Sequence, residues 1–284
     1  MNAITFETKI YENDWQYVLK TNYLDNMISR CDYSFTHKWL MINNVKDIEE
    51  VKKYADKKVA KGIIDKYFVV ADYADEALAF FNIQKESFKG GYYYSIAELV
   101  ALYLCKTPYL LHFSSDSFLE KDGAPWIDEA IDLFNSHKEI VVANPIWNFR
   151  YHEAESESEK SIGNFFASNG GFSDQCYLIK TAVFKQPNVF NELHPLSDRY
   201  PKYGGELFEK RVDSYLRNHE LIRLNSKKVS YIHSNFPKKS LKRKFYNLIC
   251  DLGLQGAILQ LIEKSKEDTS NRKRLKKQKL QNIG

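Results

Sequence analysis

Apolar and polar positions alternate between two periods through the first half of the chain. Ala3–Lys9 (AITFETK) is rich in β-formers and predicts a strand. Asn13 and Asp14 then supply a helix-start signal. Trp15, Val18, Leu19, Tyr23, Met27 and Ile28 recur at close to helical spacing, predicting a helix over Trp15–Ile28. Trp39–Asn43 predicts a second strand, Asp47 to about Ala60 a charged helix, Tyr67–Ala71 a third strand and Ala74–Phe81 a short helix. Ser95 is placed to cap the next helix, with Glu98 three residues on as the other half of a capping box; that helix runs to about Cys105. Pro108 ends it, and Tyr109–Phe113 (YLLHF) predicts a fourth strand. This rhythm predicts an α/β fold with a mostly parallel central sheet covered by helices on both faces.

The second half is less regular. Trp126–Asn135 predicts a helix, Ile140–Ala143 a strand, Cys176–Ile179 a strand after Gly170-Gly171, Glu206–Asn218 a helix after Gly204-Gly205, and Val229–Ile232 a last short strand. Glu153–Lys160 (EAESESEK) has no apolar period and predicts a mobile surface loop. From Lys239 onward apolar residues return at mixed i+3 and i+4 spacing, predicting an amphipathic helix broken near Gly253 and Gly256. No repeat is present.

Charge divides the chain at the same place. The net charge is +4, but residues 238–284 hold 13 Lys and Arg against 4 Asp and Glu, which leaves the body at −5. We therefore divide the chain into a domain of residues 1–237 and a basic amphipathic extension of 238–284. The extension suits an anionic membrane surface, by apolar burial plus cationic flanks; equally, it suits a helix packed on the domain with a basic end. Nucleic acid is not the expected partner, because the basic residues are not interleaved with aromatic platforms. With 44% hydrophobic and 27% charged residues the composition is that of a globular protein. No apolar run is long enough to span a membrane, and the N-terminus does not read as a secretory signal. The four cysteines are far apart without metal-finger spacing, which suits reduced thiols and a cytoplasmic location, with the extension at the inner membrane face.

Three segments carry candidate chemistry. Tyr109–Leu119 (YLLHFSSDSFL) runs a buried strand into Ser114, Ser115 and Asp116. A carboxylate at the carboxyl end of a parallel strand stands where open α/β sheets bind ligands and where a divalent cation can be held; a loop Asp capping the next turn is the alternative. Tyr203-Gly204-Gly205-Glu206 leads into Glu209, where a buried carboxylate can serve as a general base or simply complement a helix dipole. His233 follows a strand and can be a metal ligand or a structural residue.

Taken in order, these segments resemble the GT-A-fold glycosyltransferases of the large family 2 type, over roughly residues 3–237. The family's Asp-x-Asp strand end is similar to HFSSDSFL, with Ser114 in place of the first Asp and Asp116 as the second. Its Gly-Gly-Glu-Asp motif resembles YGGELFEKRV, with Glu206 kept and Leu207 where the Asp usually stands. Its metal-completing His matches His233. The early TFETKIYENDW resembles its first strand and nucleotide loop, and GGFSDQCYLIKTAVF its acceptor-side strand and helix. The resemblance implies a single GT-A (Rossmann-like) domain and transfer of a sugar from a nucleotide-sugar donor, a UDP-sugar first, to a hydroxyl of a glycan or lipid-linked glycan, with inversion. It implies Mn2+ or Mg2+ held by Asp116 and His233, and Glu206 as first choice of base with Glu209 second. Donor contacts are expected at Phe6, Thr8, Tyr11, Glu12, Asp72, Gly91, Ser115, Asp116, Trp147, Asn148 and Lys238, and the acidic 153–160 segment as a lid. The missing acids leave a second reading, a non-catalytic binder of nucleotide sugars or glycans.

Overall fold

The computed structural model describes residues 2–120, 125–233, 235–237 and 240–281. In chain order the elements are β1 (Ile4–Ile10), α1 (Trp15–Lys20), α2 (Tyr23–Ser29), β2 (His37–Ile42), α3 (Ile48–Ala60), β3 (Lys66–Val69), α4 (Ala74–Phe81), α5 (Tyr92–Leu104), β4 (Tyr109–Phe113), β5 (Ser117–Leu119) and α6 (Trp126–Ser136). Then follow β6 (Ile140–Trp147), α7 (Tyr151–Ser156), β7 (Lys160–Ile162), β8 (Phe165–Asn169), β9 (Cys176–Lys180), α8 (Thr181–Phe184), α9 (Phe208–Asn218), β10 (Ile222–His233), α10 (Ser240–Asp251) and α11 (Gln255–Gln281).

One sheet runs β3-β2-β1-β4-β9-β6-β10-β8-β7, with β5 paired to β10. β1, β2, β3 and β4 are mutually parallel, as is β6 with β10. β9 runs antiparallel between β4 and β6, and β5, β7 and β8 add antiparallel pairs. The sheet is therefore mixed. Its parallel half is the one with the regular strand–helix rhythm, because parallel neighbours need long crossovers and antiparallel ones do not.

Period-two alternation sorts the strand residues onto two faces. Ile4, Phe6, Leu40, Leu111, Phe113 and Leu178 join α1, α2, α3 and α6 in one core. Met41, Phe68, Leu110, Val141, Tyr177 and Ile179 join α4, α5 and α9 in the other. Helices thus cover both faces, the three-layer solution for such a sheet.

Several local expectations are corrected. The first predicted helix is two, α1 and α2, separated at Thr21–Asn22; the Thr21 hydroxyl bonds back to Tyr17 O and receives Tyr23 N–H at 3.1 Å. α5 starts at Tyr92, so Ser95 and Glu98 lie inside it and form no capping box. Ser95 Oγ instead accepts the Phe208 N–H at 2.9 Å and so caps the start of α9. The 153–160 segment is not a plain loop: α7 covers its first part and β7 begins at Lys160. Polar composition hid these elements because each is short and largely exposed.

The extension is two helices broken around Gly253, whose φ of +68° a side chain would resist. It is also docked. Tyr246 packs with Tyr17 and Phe236, Arg243 bonds Gln16 Oε1 at 2.8 Å, and Glu267 lies 2.9 Å from His152.

Candidate functional site

Strand order reverses at β1: the chain moves outward through β2 and β3, then returns to place β4 on β1's other side. The crevice beyond the carboxyl ends of β1 and β4 is the switch point at which such sheets bind ligands. Two loops meet there. Asp14 accepts Tyr11 N–H at 2.7 Å on one oxygen and the Ser115 hydroxyl on the other. From the β4 side, Ser114 Oγ contacts Ser117 Oγ at 2.8 Å and donates to Asp116 Oδ1 at 3.2 Å. The β4 loop is thereby fixed and Asp116 Oδ2 is left to turn outward.

Asp116 Oδ2 stands 3.3 Å from His233 Nε2. Asn148 sets the histidine: its Oδ1 accepts His233 N–H at 2.8 Å and its Nδ2 donates to His233 O at 3.1 Å. Asn148 itself has a φ of +43°, a conformation asparagine tolerates better than most residues. Burial works against charge on His233, but the Asp116 carboxylate, with Asp174 and Glu263 behind it, outweighs that and raises its pKa.

More acid gathers around this pair. Asp174, in the turn before β9, acts electrostatically on Lys9, Glu209, Tyr231 and His233. Glu209, in the first turn of α9, has its carboxyl pushed up to about 8 by burial and then by Asp174, against Arg199 and Lys9. Asp14 is pushed up to about 8, chiefly by burial. Lys9 ion-pairs with Glu98 on α5. Burial would lower its pKa, but Glu98, Asp174 and Glu7 outweigh that and keep it charged. Behind it, Glu7 and His112, opposite each other in the β1–β4 register, bond at 2.5 Å, and His112 stacks on Tyr177.

The residues singled out in the sequence fall into three groups. Tyr11, Ser115, Asp116, Asn148 and His233 converge at the crevice, and Glu209 is linked to it electrostatically through Asp174 and Lys9. Trp147 is 37% exposed, lies under the Arg150 guanidinium at 4.1 Å, and lines a neighbouring cavity. Glu12 lies at the crevice margin, where it accepts Lys46 N–H at 2.9 Å, and Asp72 is exposed just past β3. The others point elsewhere. Phe6 is sealed in the core between Phe35 and Phe113, and Thr8 is equally buried, so neither is open to a nucleotide. Gly91 is a packing glycine: a Cβ there would collide with Gly204 and Leu207. Lys238 lies outside the described residues. Glu206, the first choice of base, is held by Arg211, whose NH2 donates to its carboxylate at 2.6 Å and whose Nε donates to its carbonyl at 2.9 Å. Arg211 also bonds Phe190 O and Ser87 Oγ, so Glu206 is one arm of a clamp that fixes the start of α9.

Asp14, Asp174 and Lys9 were missed as site residues. Period two does place Lys9 with Glu7 on one face of β1. Nothing local marks Asp174, which reaches the crevice only because β9 runs antiparallel between β4 and β6.

Among the described residues there is no group of three or more His, Cys, Asp or Glu side chains that could hold a metal ion. Asp116 and His233 could still supply two ligands. Their 3.3 Å separation is near the roughly 3 Å between adjacent donors on a small six-coordinate cation, which usually keeps several waters and takes phosphate oxygens.

No family model matches the sequence, and no curated protein matches it. Similar solved structures include GalNAc-T7 with UDP, GalNAc and Mn2+, at 11% identity and a TM-score of 0.48, covering 84% of this chain and 45% of that one. Glucosyl-3-phosphoglycerate synthase from Mycobacterium tuberculosis, in complex with Mn2+, UDP and glucosyl-3-phosphoglycerate, is 13% identical with a TM-score of 0.44, covering 89% and 81%. S. aureus TarS is 13% identical with a TM-score of 0.44, covering 87% and 38%. The present chain thus spans less than half the length of the first and third.

Proposed function

We propose that this chain is a GT-A-type glycosyltransferase, moving a sugar from a nucleotide-sugar donor, a UDP-sugar first, to a hydroxyl of a glycan or lipid-linked glycan. The observation that carries this reading is the Asp116–His233 pair at the β1–β4 switch point, with Asp174 acting on His233 and Glu209 acting in turn with Asp174. The donor lies in the crevice with its diphosphate toward Asp116 and His233. A divalent cation held by that pair would supply Lewis-acid stabilisation of the leaving diphosphate.

The chain's own residues do the rest. Glu209 is the better base of the two acids, because Glu206 is engaged by Arg211 while Glu209 is poised near neutrality. It takes the proton from the acceptor hydroxyl as that oxygen bonds to the anomeric carbon. The bond from that carbon to the diphosphate oxygen breaks on the opposite side, which inverts the centre. Asn148 holds the His233 backbone in place and Ser114 steadies Asp116, so both groups are set before the donor arrives.

The test is release of UDP from UDP-sugars, with Mn2+ or Mg2+ and simple glycoside acceptors. Turnover that Asp116→Ala abolishes supports the reading. UDP binding without turnover on any donor favours the non-catalytic alternative, for which the small set of two metal donors speaks. Absence of both binding and turnover refutes it.

The extension is read as a membrane-surface element. Phe245, Leu248, Leu252, Leu254 and Leu261 are exposed on α10, α11 and the turn between them, with Lys242 and Lys244 nearby and Arg272, Lys273 and Arg274 further along. No single helix among the described residues is long and apolar enough to cross a membrane. An exposed apolar row beside basic residues is the pattern of a helix lying in an anionic interface.

A further inference from the structure

Beside the crevice, over the β6–β10 half of the sheet, lies a cavity of about 320 Å3. Ser173 and Gln175 on its wall flank Asp174 in the chain, and Trp147 is next to Asn148, so the cavity and the crevice share a border. Its floor is unusual. Arg223 on β10 is only 6% exposed, yet its Nε has no hydrogen-bond partner, and its NH2 has a marginal contact to Ser168 Oγ at 3.5 Å. Arg199 stands beside it; burial and then the Arg199 charge both disfavour the charged form of Arg223. Gly171 leaves the room for the pair, since a Cβ there would come within 3.0 Å of Arg223 and 3.3 Å of Arg199.

The groups present answer these two arginines only in part: Arg199 donates to Phe172 O at 3.2 Å, and Asp213 acts on both at a distance while its Oδ1 is taken by Gly171 N–H and Arg217. Glu153 is engaged by Arg150 at 3.2 Å. Glu157, at the end of α7, is 3.7 Å from Arg199 and 3.9 Å from Arg223, beyond hydrogen-bond length, and its side chain is 54% exposed. A buried guanidinium left without full pairing is costly, and a planar fork of donors is suited to an oxyanion.

We infer that this cavity is an anion-recognition subsite, binding a phosphate or carboxylate substituent of the acceptor through Arg223 and Arg199. The inference rests on the glycosyltransferase reading for the word acceptor alone; the site itself stands on the cavity and its arginines. Glu157 occupies the mouth as a weak internal substitute that a ligand oxyanion displaces. The acceptor is thereby selected for negative charge and oriented with its hydroxyl toward Glu209.

Calorimetric titration of the full chain with glucose 6-phosphate, glucuronate and glucose tests this. At least one charged probe binds, glucose does not, and the charged probe that binds names the oxyanion. Arg223→Gln and Arg199→Gln each weaken that binding by about tenfold or more, the loss of one charge-assisted pair. Glu157→Gln tightens it, a direction that a merely structural role for Glu157 does not give. If Arg223→Gln fails to fold, Arg199→Gln and Glu157→Gln decide. Equal binding of glucose and the charged probes, no binding of either charged probe, or a Glu157→Gln protein that binds no tighter overturns the inference. UDP titration in the same proteins separates the two readings: loss of UDP binding in the parent protein sinks the donor reading, while the charged-probe result stands by itself.

Discussion

Between β1 and β4 the loops leaving the sheet gather Asp14 and Asp116, and the turn before β9 adds Asp174. Over β6 and β10 the same sheet gathers Arg199 and Arg223. The first region pairs its cationic groups from within: Lys9 pairs Glu98, and His233 faces Asp116. The second does so only weakly, since its arginines meet Glu157 beyond hydrogen-bond length and Asp213 only at a distance. On the proposed reading, the acidic side takes a cation and the phosphate it carries, and the basic side an anion of the acceptor. The transfer proposed here would need both, set apart so that one ligand does not fill the other's place.

The sharpest way to break this comparison is to remove the acidic side. Asp116→Ala lowers turnover by at least about a hundredfold, and Mn2+ binding followed by electron paramagnetic resonance falls with it. His233→Ala gives a smaller loss, because the carboxylate remains. Undiminished Mn2+ binding in Asp116→Ala would remove the cation from this half of the sheet.

Next comes the choice of base. Glu209→Gln lowers kcat by about a hundredfold or more, within the usual range for general-base loss, with the unfolding midpoint nearly unchanged. Glu206→Gln does the reverse. It weakens the Arg211 clamp and costs about 1–3 kcal/mol of stability, measured by denaturant unfolding, while kcat changes little. If Glu206→Gln abolishes turnover in folded protein, the roles are exchanged.

Proton linkage probes the same side more gently. Burial raises both Asp14 and Glu209 to about 8 in the folded chain, well above their values when unfolded. The folded state therefore binds more protons than the unfolded state through this window. In the metal-free protein, stability falls as pH rises from about 4 to about 8, and the penalty is complete above that. Asp14→Asn flattens the slope in thermal unfolding. An unchanged slope in Asp14→Asn would mean that its carboxyl is not the group that titrates.

How far these regions could be read from sequence differs in the same way. The parallel half was legible because each strand there is a short run rich in β-formers with helical periodicity after it, and Ala74–Phe81 and Tyr109–Phe113 fall where the pattern puts them. The positions of Asp116, in the loop after β4, and His233, at the end of β10, could be read because each stands beside a strand's carboxyl end. Those of Asp174, Arg199 and Arg223 could not. Arg223 sits in the part of β10 before Val229 that showed no strand pattern, and what buries it is the packing of β8 and the 199–200 segment, contacts remote in sequence. The engagement of Glu206 by Arg211 was not legible for a related reason. Its partner Arg211 is only five residues on, but their pairing depends on Ser87 and Phe190, which the fold alone brings together. Short polar elements such as α7 carry too few apolar positions for any period to show.

The smallest expected effect concerns the extension, which belongs to neither half but touches the first: Asn148 Nδ2 lies 3.3 Å from Glu263 on α11. Leu248 and Leu261 are 55% and 70% exposed. Changing both to Glu leaves the fold intact, because surface substitutions of this kind usually shift stability by less than about 0.5 kcal/mol. Each removes apolar burial and adds repulsion from acidic lipid, so binding to vesicles containing phosphatidylserine drops while turnover on a soluble acceptor stays the same. Sedimentation with such vesicles reads the first and UDP release the second. Vesicle binding that persists in the double variant assigns the exposed row to packing against protein, and a fall in soluble turnover shows that α11 positions His233 through Glu263 and Asn148. The two readouts therefore tell whether the extension brings the site to its acceptor or takes part in building it.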